Sequence, residues 1–325
     1  MPDRRQVLAQ LTAAAAAAAL PAAHAQSWPD RQLKLIVGFP PGTGPDIVAR
    51  TLGQRLGDVL KQPLVVDNRA GAGGQIAAAA AAKSAPDGYT LLLGEVGSIS
   101  IAPAAFSKLP YDPARELAPV AEVVRSDFVL VVPAASPAKT VAEFVGAFKG
   151  RKEKVNFGTF GAGTPGHFGA EVFGELAGFA VEPIHYRATG DAVTAIAAGD
   201  VQAAFMSTAL AMAQVKGGRV RALATTAPQR ATALPDVPTF TEAGYSKADF
   251  SAWFAVFAPA ATPPAVLDAL QRATATALQT PEVQAKLVEA GFSVSKLSRA
   301  DTAAMLKAEA QRWAQVVKAA GFKGD

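Results

Sequence analysis

The strongest constraint on this chain is a unit that keeps returning along it: a short apolar run, a loop rich in glycine, then apolar residues at helical spacing. Residues 33–38 form such a run ending in a Gly/Pro loop, and 47–60 follow with Ile47, Val48, Leu52, Leu56, Val59 and Leu60 in helical register. Residues 64–66 predict the next strand, 68–74 a turn, and an alanine-rich helix runs on to Lys83. Pro86-Asp87-Gly88 is a turn signal before a strand at 89–93. Strand, Gly-rich loop and helix in alternation predict an α/β fold with a parallel sheet covered on both faces.

The alternation stops at 120–132, a long β-branched stretch broken by Arg125-Ser126-Asp127, and then restarts. Helices are predicted at 140–148, 167–176, 192–198 and 209–215, with strands at 155–157, 181–185, 203–206 and 220–224. A second extended stretch, 253–258, precedes helices at 264–278, 281–290 and 300–319. Two series joined by two extended stretches predict two lobes connected by two crossing strands. The first lobe is 26–127 with 253–325, the second 128–252. A chain of 325 residues has the length for two domains of ~100–200 residues each.

Residues 1–25 read as an export signal. Arg4 and Arg5 precede an Ala/Leu run from Leu8 to Leu20, then Pro21 and Ala23-His24-Ala25. A charged start, a short apolar stretch and an A-x-A site describe a cleaved leader, with the mature chain in the periplasm. Gln10, Thr12 and Pro21 interrupt the run and argue against a membrane span. The arginine pair before Gln6-Val7-Leu8 suits twin-arginine export and the general route alike. The absence of cysteine excludes disulfides, thiol catalysis and thiolate metal sites. Thirty-one Lys and Arg against 27 Asp and Glu, with no dense basic block, read as solvated surface and not as a nucleic-acid footprint.

Two loops carry the candidate chemistry. Phe39-Pro40-Pro41-Gly42-Thr43-Gly44-Pro45-Asp46 follows the first strand, and Gly158-Thr159-Phe160-Gly161-Ala162-Gly163-Thr164-Pro165-Gly166-His167 follows a strand of the second series. Glycine lets the backbone turn sharply and approach a ligand, and a helix start adds unpaired N–H donors and a positive dipole end. Each loop is thus an anion site without a charged side chain, or a plain strand-to-helix turn. Gly161, Gly163 and Gly166 also spell G-x-G-x-x-G, which admits a dinucleotide reading with Glu182 on the ribose and an oxidoreductase as the rival function. Pro165 inside the motif and its mid-chain place count against that. No G-x-S-x-G or H-E-x-x-H is present, and His167 with Glu171 four residues on falls short of a metal site. No catalytic residue, metal or cofactor is expected.

At these loops the chain resembles a known family, the periplasmic receptors of tripartite tricarboxylate transporters, or Bug receptors. The matching blocks cover almost the whole mature chain: WPDRQLKLIVGFPPG, PDIVAR, PLVVDNRAGAGGQIAA, APDGYTLLLG, VNFGTFGAGTPGHFGAE, GGRVRALATTAPQRATALPDVPTFTEAG and WFAVFAPAATP. The resemblance implies a two-lobed Venus-flytrap periplasmic binding protein, hinge closure on a small organic carboxylate, and delivery to membrane transporter subunits. A receptor that signals to a sensor protein without transport is left open, and a monomer is expected by analogy. Carried onto this chain, it implicates Pro41, Gly42, Thr43 and Asp46 in the first lobe. In the second it implicates Gly161, Gly163, Thr164 and His167, with Ala188, Thr189 and Asp191 as a further loop and Ser207 after a strand.

The chain departs from the family pattern in three places. Thr43 replaces a glycine and Pro45 a threonine, so Asp46 either touches the ligand or serves as a first-turn acid. Glu95 stands where small polar residues are usual; it meets a ligand's amino group or other donor, or else turns to solvent or to an arginine. Ser207 and Thr208 supply hydroxyls where an acid or amide is common. Arg187, after Tyr186, offers a positive field or an ordinary solvated charge.

Overall fold

Strands with apolar residues on both faces set the frame. The computed structural model describes residues 28–186, 188–231 and 234–324; the leader and twin-arginine readings of 1–25, and the field expected of Arg187, lie outside them. β1 (Leu33–Val37) buries Leu33, Leu35, Ile36 and Val37, as a strand covered on both sides must. It leads to α1 (Gly44–Leu60), β2 (Leu64–Asn68), α2 (Gln75–Ala82) and β3 (Thr90–Glu95). A helical turn, Gly97–Ile101, runs into α3 (Ala102–Ala105), then α4 (Pro113–Glu116) and the long β4 (Leu117–Pro133). The second series is α5 (Val141–Phe148), β5 (Val155–Thr159), α6 (Pro165–Ala177), β6 (Val181–His185), α7 (Thr189–Ala198), β7 (Ala203–Ser207), α8 (Thr208–Lys216) and β8 (Val220–Thr225). The chain returns through β9 (Ser251–Pro259) to α9 (Pro264–Leu278), α10 (Pro281–Glu289), β10 (Ser293–Val294) and α11 (Arg299–Ala319). Arg31–Asp325 form one compact unit, and the architecture is that of this unit.

The strand order is β2-β1-β3-β9-β4-β7-β5-β6, with β8 and β10 also on β4. β1–β3 are parallel to one another, as are β5–β7. The sheet as a whole is mixed, which corrects the parallel expectation. β9 must return what β4 carries across, so these two run antiparallel along Leu117–Asp127. Beyond that point Phe128–Pro133 of β4 pair with β7 and β8. The expected break at Arg125-Ser126-Asp127 is also not found. Backbone pairing to Trp253, Ala252 and Ser251 continues through all three, because the ladder does not depend on side-chain polarity.

Strand direction fixes where the loops go. β3 and β4 are each antiparallel to β9, so β1–β3 run with β4 and end toward Asp127. β7 is antiparallel to β4, with Ser207 opposite Phe128, so β5–β7 run back to the same level. Two sets of strand carboxyl ends therefore face each other across Asp127–Phe128. In α/β sheets that is where ligands sit.

Phe144, Phe157, Phe173, Phe179 and Phe205 fill the second core, with ring centroids 5.5–6.4 Å apart, mostly edge-to-face as ring quadrupoles favour. α11 starts with a capping box between Ser298 and Asp301. After it the chain hooks back. The Gly324 N–H donates to the Ala105 carbonyl at 2.7 Å, and the Phe322 ring lies 6.2 Å from Phe106, 5.3 Å from His167 and 5.6 Å from Phe168. The hook thus ties the end of α3 to the start of α6.

Candidate functional site

The first loop is built around a buried acid. Asp46 is 3% exposed and accepts from the Gly42 N–H, Arg50 Nε and Asn68 Nδ2, each at 2.9 Å. Burial opposes its ionisation, but the hydrogen bonds from Arg50, Gly42 and Asn68 hold its carboxyl below the usual range. Asp46 therefore braces the loop as a first-turn acid, with Arg50 and Asn68 as partners that sequence reasoning missed. Gly42 has φ +79, a conformation that favours glycine; Pro41 is exposed beside it. The Thr43 hydroxyl donates to Pro40 O at 2.7 Å, and Ile47 N–H is taken by Thr43 O at 3.0 Å. Pro45 has no N–H. The first-turn donors left without an intrahelical acceptor are those of Gly44 and Asp46.

The second loop is held by its own polar atoms. Thr164 Oγ1 donates to Gly161 O at 2.8 Å and accepts from His167 N–H at 3.3 Å. Gly161 and Gly163 have φ +126 and +76. The Gly163 N–H donates to His167 Nδ1 at 3.2 Å. Among the described residues, the N–H groups of Gly161, Ala162 and Thr164 have no partner within the protein. His167 is 2% exposed, with the His185 ring 4.7 Å away. Burial first, and His185 second, push its pKa down to about 4, so it is neutral at pH 7 and carries no charge to an anion.

The remaining candidates divide. Ala188, Thr189 and Asp191 are exposed at the start of α7, which follows β6 at the same sheet edge as α6. Ser207 is half-buried and precedes α8, while the Thr208 hydroxyl donates to Asp127 O at 3.0 Å. Glu95 turns neither to solvent nor to an arginine. It is 6% exposed, and its two oxygens accept from the Gly97 and Ser98 N–H groups at 2.7 Å. Burial raises its pKa, opposed by those two donors. Glu182, the acid a dinucleotide would need, lies near the start of β6 and is paired with Lys154 at 2.6 Å. It is at the wrong end of its strand for a ribose.

The strand ends thus bring α1 from one side, and α6, α7 and α8 from the other, to face each other N-terminus first. Together they form a rim rich in backbone N–H donors and positive dipole ends, suited to an anion. Among the described residues no group of three or more His, Asp or Glu side chains is placed to hold a metal ion. No helix there is long and apolar enough to cross a membrane.

Comparison with known proteins agrees with this architecture. The family described as tripartite tricarboxylate transporter family receptor, TctC, matches residues 48–322. BugT of Bordetella pertussis is 36% identical over 300 residues, covering 92% of each chain. Rpa4515 of R. palustris, solved with adipate, superimposes with a TM-score of 0.82 at 31% identity, covering 91% of this chain and 99% of that one. MatC (Rpa3494) from Rhodopseudomonas palustris, solved with bound malate, gives 0.78 at 30% identity, covering 89% and 100%. The two-lobed α/β binding-protein fold expected from the sequence is borne out. The chain belongs to the tripartite tricarboxylate transporter receptor family.

Proposed function

We propose that this protein is a periplasmic solute-binding receptor that captures a small organic carboxylate between its lobes and delivers it to the membrane subunits of a tripartite transporter. The observation that carries the reading is the facing of the α1 N-terminus and those of α6–α8 across Asp127–Phe128. Backbone dipoles on both sides suit a small anion, a carboxylate among them. That relatives were solved with adipate and with malate supports the same class. The lobes would divide at 128 and 253, where β4 changes partners and β9 begins its return. The leader in 1–25 would place the protein in the periplasm, and it would act there as a monomer without a cofactor.

In this reading the main-chain donors are the N–H groups of Gly44, Asp46, Gly161, Ala162 and Thr164, with Ala188, Thr189 and Ser207 at the other helix starts, while Gly42, Thr43 and Gly163 shape the loops. Asp46 and Asp191 act through the helix starts on which they sit, Glu95 through the turn that follows β3, and His167 through Gly163. Thermal unfolding against a panel of carboxylates, amino acids and dinucleotides tests it, after unfolding, dialysis and refolding to strip any carried ligand. A ligand at ~100 times its Kd adds about 2.7 kcal/mol, a rise of a few degrees. A shift with one class of acid supports the receptor. A shift with dinucleotide alone, or with no carboxylate at all, sinks it.

A further inference from the structure

Between the two rows of helix N-termini lies one carboxylate that the loops do not use. Asp127 is half-buried at the last β4 position paired with β9, level with the facing strand ends. Its backbone is occupied, but its side chain accepts no hydrogen bond and forms no ion pair among the described residues. Every other buried or half-buried acid in the site has partners: Asp46 has three and Glu95 two. Burial raises the Asp127 pKa, and Arg125 pulls it back. The carboxylate is thus held in a setting that favours an incoming positive charge.

The surroundings leave that role open. Asp127 lines a cavity of about 340 Å³ whose walls come from both lobes, Thr208, Met212 and Arg230 on one side and Phe292 and Ser293 on the other. Both nearby guanidinium groups are held elsewhere. Arg230 Nε bonds the two Glu242 oxygens at 3.0 and 3.1 Å, and Arg125 pairs with Glu122 at 2.7 Å. The cavity also adjoins the anion loops. A Cβ on Gly44 would lie 3.0 Å from the Phe292 ring. Gly158 pairs with Ala204, so β5, ending at Thr159, runs beside β7 and delivers the second loop to the same sheet edge as Ser207 and Thr208. Two strand spacings, about 10 Å, separate the β4 backbone from β5, from which that loop springs. After a hydrogen bond of about 3 Å at each end, the gap suits a small amino acid.

We infer that Asp127 receives the ammonium group of the solute, so that the captured carboxylate is an amino acid. This rests on the receptor reading and narrows it.

The test is calorimetric titration of the refolded protein with matched pairs: aspartate and succinate, glutamate and glutarate, γ-aminobutyrate and butyrate. Butylamine serves as an amine without a carboxylate. The Asp127 carboxyl carbon is followed by NMR in parallel. In at least one pair the amino member should bind tenfold or more tightly and shift the Asp127 resonance. Asp127→Asn should erase that preference without weakening the unaminated partner, whose affinity should hold or rise as a like charge is removed. Carboxylate binding without amino preference, or a preference that survives in D127N, overturns the inference and leaves the receptor standing. If only butylamine binds and moves Asp127, the cation point survives and the carboxylate reading falls. If neither amines nor amino acids move the Asp127 resonance, the inference is wrong whether or not D127N folds.

Discussion

Gly163 donates its backbone N–H to Nδ1 of His167 across 3.2 Å, one helical turn away. That bond keeps Nδ1 as an acceptor, so the neutral ring carries its proton on Nε2. Protonating Nδ1 would set two donors against each other inside a shell of Phe168, Phe322 and His185. The Gly161–Thr164 loop is therefore coupled to the protonation state of one buried ring.

His167 makes stability depend on pH with a definite sign. Its pKa is pushed down to about 4 in the folded protein, from ~6.5 in the unfolded chain, so the unfolded chain binds the proton first. Its contribution is complete above pH ~6.5 and is lost as pH falls toward 4, at up to about 1.4 kcal/mol per pH unit. Urea unfolding of the native protein and of His167→Asn, which keeps an acceptor near the Nδ1 position, checks this. Equal slopes for the two between pH 6.5 and 4 would refute it.

Asp46 works through its three donors. Asp46→Ala strands the Gly42 N–H and Asn68 and frees Arg50, and is expected to cost about 1–3 kcal/mol. Carboxylate affinity should drop with it as the first loop loosens. The native carboxylate's contribution is present above its ordinary pKa and fades as pH falls through the lower folded value. Denaturant titration with ligand calorimetry measures both, and unchanged affinity would mean the loop does not depend on this brace.

Gly291, just beyond α10, packs closely on α8. It has φ +82, and a Cβ there would lie 2.7 Å from the Ala209 Cβ at the start of α8. Gly291→Ala adds about 1–2 kcal/mol of left-handed strain and pushes the turn off α8. Chemical denaturation should show the loss, and small-angle scattering a slightly larger radius. A variant as stable and as compact as the native chain would contradict the contact.

The terminal hook should steady the second loop. Phe322→Ala removes a half-buried ring from against His167 and Phe168, for an expected loss of about 1–3 kcal/mol. Amide exchange at Gly161–Gly166 should accelerate more than exchange in β1–β3. Uniform acceleration would mean the ring stabilises the whole fold and not the loop.

Much of the fold was legible because most strands are short and rich in apolar residues beside a Gly or Pro turn, as where Leu33–Val37 runs into Gly38 and Pro86-Asp87-Gly88 leads into Thr90–Glu95. What could not be read was partnership across long separations. Asp127 looked like part of a break in a strand, since its pairing to Ser251 is a backbone matter that no side-chain pattern records. Glu95 looked like a cleft carboxylate, because nothing local says that the N–H groups two and three residues on will turn back to it. Phe322 carried only a faint signal: an aromatic just beyond Gly321, whose φ of +65 ends the last helix.

The shared β4 has a consequence for the order in which the protein can be completed. The sheet of the second lobe draws on an unbroken stretch from Phe128 to Thr225. The first lobe waits for β9, which lies between β3 and β4 and is supplied only after Ser251. A chain emerging from its amino end can therefore finish its middle before its beginning. Until its last quarter arrives, β3 presents an open edge for which a chaperone or a neighbouring chain can compete.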